Sequence, residues 1–204
     1  MRVLGIDPGL QITGFACVQG AGGDEPKLIE AGVFRLGGGS RAAGSLSDRL
    51  VELDGDLREL LDRTSPDLVA VEGLFAHYKH PATAITMGHA RGVILLAVHR
   101  AGVRLVEYKP NEVKKSVTGY GHASKEQIQL AVKELYRLAE LPTPPDMADA
   151  IAIATCAVWR EEIGSAAFGS GSNVETEPSA PAGGHDARAG HERREPPAGA
   201  GGSV

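Results

Sequence analysis

Four acidic residues stand where they could meet in one site. Asp7 directly follows the apolar run 3–6, Glu72 directly follows the apolar run 68–71, and Asp146 and Asp149 lie three residues apart. Within a helix, that spacing puts two side chains on one face. Converging carboxylates repel one another unless a cation lies among them, and a hard divalent ion such as Mg²⁺ suits oxygen ligands. Two such ions about 4 Å apart can activate a water and stabilise the leaving oxygen of a phosphoryl displacement.

Each acid also has a purely structural interpretation. Asp7 can belong to a simple turn, because Asp, Pro and Gly are favoured turn residues. Glu72 can be a salt-bridge partner at the end of a buried strand. Asp146 suits the N-cap of a helix, and Asp149 suits the first helical turn beside the macrodipole. Only the joint arrangement of all four favours chemistry.

The elements that would hold these acids alternate along the chain. Apolar runs predict strands at 3–6, 12–18, 27–36, 68–71 and 103–106. Helical periodicity and capping signals predict helices at 46–61, 81–100, 124–138 and 146–162. This order predicts a mixed α/β sheet with helices on its faces. If the strands before Asp7 and Glu72 are parallel neighbours, both acids lie at the edge where such sheets bind ligands.

The charges are segregated along the chain. The formal net charge is −5, which by itself argues against a polyanionic partner. Residues 76–133, called here the basic segment, nevertheless carry nine basic against three acidic side chains. A basic segment beside an acidic, metal-binding site indicates metal-dependent cleavage of a phosphodiester polyanion. The alternative is an ordinary solvated basic face.

Composition predicts one domain and a tail. Gly, Ala, Ser and Pro supply 25 of the 40 residues from 165 to 204, so this segment is expected to be disordered, and 1–164 to form the nuclease domain. Cys17 and Cys156 lie far apart and are expected to be reduced, buried thiols. No stretch approaches the roughly 20 apolar residues of a membrane span, and the N-terminus is not signal-like, so a cytoplasmic protein is expected.

Further candidates for contact with a nucleic acid lie in or beside the basic segment. Phe75 follows Glu72 by three residues and could stack on bases, although it could equally cap the core. Lys114, Lys115 and Lys125 surround the loop 119–122 and suit phosphate contacts; ordinary solvated lysines are the alternative.

A family resemblance is carried by short motifs that run in order along the chain. They are Leu4 to Gly9 with Thr13 and Gly14, Val71 to Phe75, Gly88 to Gly92, Glu107 and Tyr108, Val113 and Lys114, Gly119 to Lys125, and Asp146 to Ala150. Over about residues 2–158, this pattern closely resembles the RuvC family of bacterial Holliday junction resolvases. The combined pattern is highly specific, whereas the Gly-Ile-Asp-Pro-Gly motif alone is weak.

The resemblance implies an RNase H-like fold, a mixed five-stranded sheet flanked by helices on both faces. It implies an endonuclease that resolves four-way DNA junctions by paired symmetric nicks in recombination and repair, leaving 5′-phosphate and 3′-hydroxyl ends. It assigns catalysis and metal binding to Asp7, Glu72, Asp146 and Asp149. The expected cofactor is Mg²⁺, two ions per site, with Mn²⁺ able to substitute.

The resemblance also implies partners. By this likeness Phe75 meets bases near the branch point, and Lys114 and Lys125 support DNA binding or catalysis. The branch-migration proteins RuvA and RuvB are expected partners. A homodimer is expected too, since a two-fold dimer presents two identical sites to a junction of approximate two-fold symmetry. The helix at 81–100 is the candidate interface, with ordinary packing on the sheet as its alternative.

Three other functions share some of these sequence features. Actin-like sugar kinases and chaperone ATPases share the opening strand and Gly-Ile-Asp turn, but they need two lobes, which about 164 ordered residues cannot build. YqgF-like ribonucleases resemble the first strand, but the long match through Lys125 to Asp149 argues against them. A junction-binding module without catalysis would require unusable acids, and all four acids are present.

Overall fold

The computed structural model describes residues 1–20, 22, 25–37, 44–73 and 81–169. Phe75 and residues 170–204 lie outside this part of the chain. The described elements are β1 (Arg2–Asp7), β2 (Ile12–Gln19), β3 (Lys27–Arg35), α1 (Leu46–Thr64), β4 (Leu68–Glu72), α2 (Pro81–Arg100), β5 (Arg104–Tyr108), α3 (Pro110–Thr118), α4 (Lys125–Leu135) and α5 (Pro145–Gly169). No helix within the described residues is long and apolar enough to cross a membrane.

The five strands form one mixed sheet in the order β3-β2-β1-β4-β5. The chain runs through β1, β2 and β3 as an antiparallel meander. It then crosses over through α1 to place β4 parallel to β1, and again through α2 to place β5 parallel to β4. The predicted five-stranded mixed sheet is therefore confirmed, and β1 and β4 are the parallel neighbours that a shared site requires.

Helices cover both faces of this sheet, as predicted. Because strand side chains alternate, β1 sends Val3 to one face and Leu4 and Ile6 to the other. The first face packs against α3, α4 and α5 through apolar residues such as Ile151 and Val132. The second face packs against α1 and α2. Both faces of the central strands are buried, which explains their nearly continuous apolar sequence.

Helix α5 lies unusually close to the sheet because two strand glycines face it. A Cβ on Gly5 would come within 2.4 Å of the Ala150 carbonyl oxygen, and one on Gly14 within 2.1 Å of the Asp146 carbonyl oxygen. Such contacts are too short for any side chain, so only glycine lets the first half of α5 rest directly on β1 and β2. This contact fixes the height of α5 above the sheet.

Helix α3 was not predicted from the sequence. Its signals were present, since Pro110 occupies the first helical turn and Gly119 ends the helix at a φ of 75°. Two boundaries also differ. Helix α4 ends at Leu135, earlier than the predicted 138, and Arg137 just beyond it has a left-handed φ of 53°. Helix α5 continues to Gly169, beyond its predicted end at 162.

We expect Gly5→Ala to lower the free energy of unfolding by about 1–3 kcal/mol, because the added methyl group must push α5 away from β1. The matched control is Gly55→Ala in α1, where an added Cβ meets nothing within 4 Å. That change should raise stability by about 1 kcal/mol through helix propensity. Urea denaturation of both variants measures the difference, and equal effects would contradict the close-contact explanation.

Candidate active site

Asp7 and Glu72 reach the same side of the sheet at the ends of adjacent strands. In β1, Ile6 packs with the α1 and α2 face, so Asp7, the next residue, points to the opposite face. In β4, Val71 likewise packs with the α1 and α2 face, so Glu72 points to the opposite face. The register pairs Ile6 with Val71, which places the two following carboxylates side by side. Both acids therefore lie on the face that α5 covers.

The start of α5 supplies the other two acids. Helix α5 begins at Pro145, so Asp146 lies in its first turn. Asp149 follows about one turn later. The close contact between Gly14 of β2 and the Asp146 carbonyl oxygen holds this end of the helix beside Asp7, because Gly14 pairs with Asp7 in the sheet. The tight packing of α5 thus delivers two acids to the edge where β1 and β4 end.

All four acids line one cleft of about 850 Å³. Lys114 of α3 and Lys125 of α4 line it as well, whereas Lys115 does not. The remaining lining residues are Pro8, Gly9, Leu10, Gln11, Ile12, Thr86, Met87, Pro110 and Ile128. The structure therefore brings together six of the eight candidate site residues. Lys115 does not line the cleft, and Phe75 lies outside the described residues.

Burial and mutual repulsion shape the electrostatics of these acids. Burial raises the pKa of Asp7 well above its usual range, and the charges of Asp149, Glu72 and Asp146 raise it further. Burial, and then the charge of Asp149, raises the pKa of Glu72. Burial also raises the pKa of Asp149, although nearby Lys125 opposes this shift. The cleft therefore disfavours its own negative charges and would gain from a bound cation.

The two lysines occupy different environments. Lys125 is 60% exposed, and its Nζ lies 3.7 Å from Asp149 Oδ2. Lys114 is partly buried, and its Nζ donates a hydrogen bond to the Ala123 carbonyl oxygen at 2.9 Å. This bond ties α3 to the residues just before α4. Lys125 is thus free to move toward an anion, whereas Lys114 is held in the cleft wall.

Thr13 lies beside the site, in a role that was not predicted from the sequence. This buried side chain donates a hydrogen bond through Oγ1 to the Gly9 carbonyl oxygen and accepts one from the Gly9 N–H at 3.3 Å. It thereby closes the turn that follows Asp7. Thr86 and Met87 of α2 were missed as well, since nothing in a helical pattern indicates which turn reaches a distant cleft.

The donor set fits a hard divalent cation. Four carboxylates provide only oxygen ligands, and the raised pKa values of Asp7, Glu72 and Asp149 indicate that an added positive charge would be favourable. Within the described residues, no group of three or more His, Cys, Asp or Glu side chains already stands in ligating positions. Glu72 makes no ion pair with any described residue, so its salt-bridge alternative finds no support there.

Comparison with known proteins identifies similar chains. The family model described as crossover junction endodeoxyribonuclease RuvC matches residues 3–157. The crossover junction endodeoxyribonuclease RuvC of Rhodopirellula baltica is 49% identical over 156 residues, covering 76% of this chain and 84% of that one. The protein of the same name from Caldicellulosiruptor saccharolyticus is 46% identical, covering 76% and 91%. The solved structure of Thermus thermophilus RuvC with a Holliday junction substrate superposes with a TM-score of 0.72 at 33% identity, covering 81% of this chain and 97% of that chain.

We expect Asp7→Asn to raise the thermal unfolding midpoint in EDTA by a few degrees. The raised pKa means that the folded state resists the ionised carboxylate, which the unfolded chain tolerates at pH 7. This penalty is absent below the unfolded pKa of about 4 and grows as pH rises through the folded pKa. The stability difference between variant and wild type should therefore shrink as pH falls from 7 to about 4.

Calorimetry at several pH values measures this difference. Added Mg²⁺ provides the internal control, because it should raise the midpoint of the wild type more than that of the variant. A variant that is less stable than the wild type in EDTA at pH 7 would contradict the repulsion argument.

Proposed function

Because this chain belongs to the RuvC family of crossover junction endodeoxyribonucleases, we propose that its acidic cleft is where one strand of a four-way DNA junction is cut. The chain is an endonuclease of Holliday junctions, which act as intermediates of recombination and repair. The family match extends through the last pair of acids and favours this function over the kinase, chaperone and ribonuclease alternatives.

One observation carries the proposal. Asp7, Glu72, Asp146 and Asp149 come from three elements that are far apart in sequence, yet they line a single cleft together with Lys114 and Lys125. A module that only binds DNA would gain nothing from gathering four mutually repelling acids beside a DNA surface, since they repel phosphate. Their presence is explained by divalent cations that couple them to the phosphodiester.

We propose that the four carboxylates hold Mg²⁺, with two ions per site and with Mn²⁺ as a substitute. When bound, the ions supply activation of a water and stabilisation of charge on the leaving oxygen. The four acids would hold these ions from the ends of β1 and β4 and from the start of α5, on rigid elements rather than on loops. The water gives up a proton to solvent as its oxygen forms a new bond to phosphorus. The bond between phosphorus and the 3′ oxygen breaks, and the 3′ oxygen takes up a proton. The products are a 5′-phosphate and a 3′-hydroxyl.

The lysines would hold the DNA backbone at the cleft. Lys125 stands at the first turn of α4, where backbone N–H groups add affinity for anions. Its exposed ammonium can exchange the Asp149 carboxylate for a phosphate oxygen when substrate arrives. Lys114 is placed to offset negative charge beside Glu72. Phe75 is proposed to meet bases near the branch point, three residues beyond Glu72.

The remaining proposals concern assembly and location. We propose a homodimer, because paired nicks on a two-fold junction need two like sites. Helix α2 exposes Ile85 and Leu96, which suits a role at the interface. RuvA and RuvB stay predicted partners. Cys17 and Cys156 are buried and unpaired, as expected in a reducing compartment, and a cytoplasmic location is proposed.

Asp7→Asn should abolish cleavage of a labelled four-way junction while leaving junction binding within about threefold of the wild type. Neutralising Asp7 removes one metal ligand, and with it transition-state stabilisation, but it leaves the basic side chains of the basic segment in place. Gel assays with Mg²⁺ or EDTA measure cleavage, and binding is measured in EDTA. Linear duplex of matched sequence is the control substrate. Paired, ligatable nicks confined to the junction support the proposal; equal cleavage of duplex and junction would contradict it.

Lys125→Met should slow junction cleavage about 100-fold, because the ammonium that faces the acids and the phosphate is lost. Lys115→Met is the matched control, since Lys115 is exposed and does not line the cleft. Single-turnover rates at saturating protein separate catalysis from binding. If the cleavage rates of the two variants fall by the same factor, Lys125 contributes only to the general attraction of DNA.

A further inference from the structure

The side chain of Arg91 in α2 contacts the end of β4 beside the site, but it does not line the cleft. Its side chain is only 10% exposed, and its Nη1 donates a hydrogen bond of 2.8 Å to the Glu72 carbonyl oxygen. Its Nη2 forms an ion pair with Oε1 of Glu107 in β5. One guanidinium thus connects a helix with the ends of two neighbouring strands.

The end of β4 needs such support. The register between β1 and β4 runs from Val3 and Leu68 to Ile6 and Val71, so Glu72 lies one residue beyond the last pair. On its other side, Glu72 pairs with Tyr108, and the Gly73 N–H donates to the Tyr108 carbonyl oxygen at 2.8 Å. Glu72 is therefore held by the sheet on the β5 side alone, and Arg91 supplies the further contact.

The identity of the side chain matters here. A buried guanidinium is costly unless its N–H groups are paired, and Arg91 directs separate nitrogens to the carbonyl of Glu72 and the carboxylate of Glu107. The planar fork fixes both directions at once, which a lysine ammonium on a flexible stem does not reproduce. The pair therefore sets the position of the Glu72 backbone relative to α2 and β5.

We propose that Arg91 is the positioning residue for Glu72. By fixing the carbonyl group of Glu72, it fixes the direction in which the carboxylate of the same residue enters the cleft. Arg91 does not touch the DNA or the ions; it acts through Glu72. This inference rests on the proposed function, because Glu72 matters only if the cleft cuts DNA.

The test compares Arg91→Ala and Arg91→Lys with the wild-type full chain. Both variants should cut a four-way junction about 10- to 100-fold more slowly in single-turnover assays, while junction affinity in EDTA changes less than threefold. Titration of the DNA-free proteins with Mn²⁺, followed by calorimetry, should show weaker ion binding by a similar factor. Guanidinium chloride at millimolar concentration should partly restore cleavage by Arg91→Ala, and sodium chloride at equal ionic strength should not.

Arg104→Ala is the matched control. Arg104 stands at the other end of β5, and its Nη2 pairs with Glu161 Oε2 at 2.5 Å, so the variant removes an arginine ion pair away from the site. It should cleave at the wild-type rate. Arg91→Lys keeps the charge and serves as the folded variant if Arg91→Ala proves unstable.

Two results would overturn the proposal. One is cleavage and Mn²⁺ binding by both Arg91 variants at the level of Arg104→Ala. The other is a loss of cleavage that matches the loss of junction binding or of folded protein, with no response to guanidinium, since Arg91 would then be structural or a DNA contact. A wild type that fails to cut junctions would instead overturn the proposed function, so the two failures are distinguishable.

Discussion

The packing of α5 on β1 and β2 holds carboxylates of like charge in one cleft against their repulsion. Gly5 and Gly14 make this contact possible, since a Cβ at either position would collide with the backbone of the helix. Apolar side chains farther along α5, such as Ile151 and Ile153, are fully buried, and their burial offsets the repulsion at the helix start. The arrangement of the site depends on this contact, because it sets where the start of α5 lies relative to the ends of β1 and β4.

The two faces of the sheet contribute differently to the site. The face under α3, α4 and α5 carries the acids and both cleft lysines. The face under α1 and α2 carries none of the acids, but α2 sends Thr86 and Met87 to the cleft wall. Its contribution is mechanical: it completes the burial of β1 and β4 and supports the ends of the parallel strands. A central sheet buried on both faces is stiff, and a stiff base suits catalysis that depends on fixed carboxylate positions.

Charge is distributed on a local scale that the net charge conceals. The cleft combines four acids with Lys114 and Lys125, so opposite charges stand within a few ångströms of one another. Acids alone would reject a polyanion, and bases alone would bind one without cutting it. Together, the lysines attract phosphate and the neighbouring acids offer oxygen ligands to divalent ions. An acidic protein with a net charge of −5 can therefore act on DNA, because only the charges near the cleft are close enough to matter through screening salt.

Within the described residues, the sequence by itself determined the five strands, four of the five helices and the acids that line the cleft, because alternation, capping signals and carboxylates after apolar runs are local features. It also contained the signals of α3, in Pro110 and Gly119, although these were missed. Only the tertiary structure decided that β1 and β4 are parallel neighbours with Ile6 opposite Val71, that α5 crosses the face bearing Asp7, and that Arg91 meets Glu72. Those contacts join residues far apart in the chain, and no short-range pattern encodes which distant segments pack together.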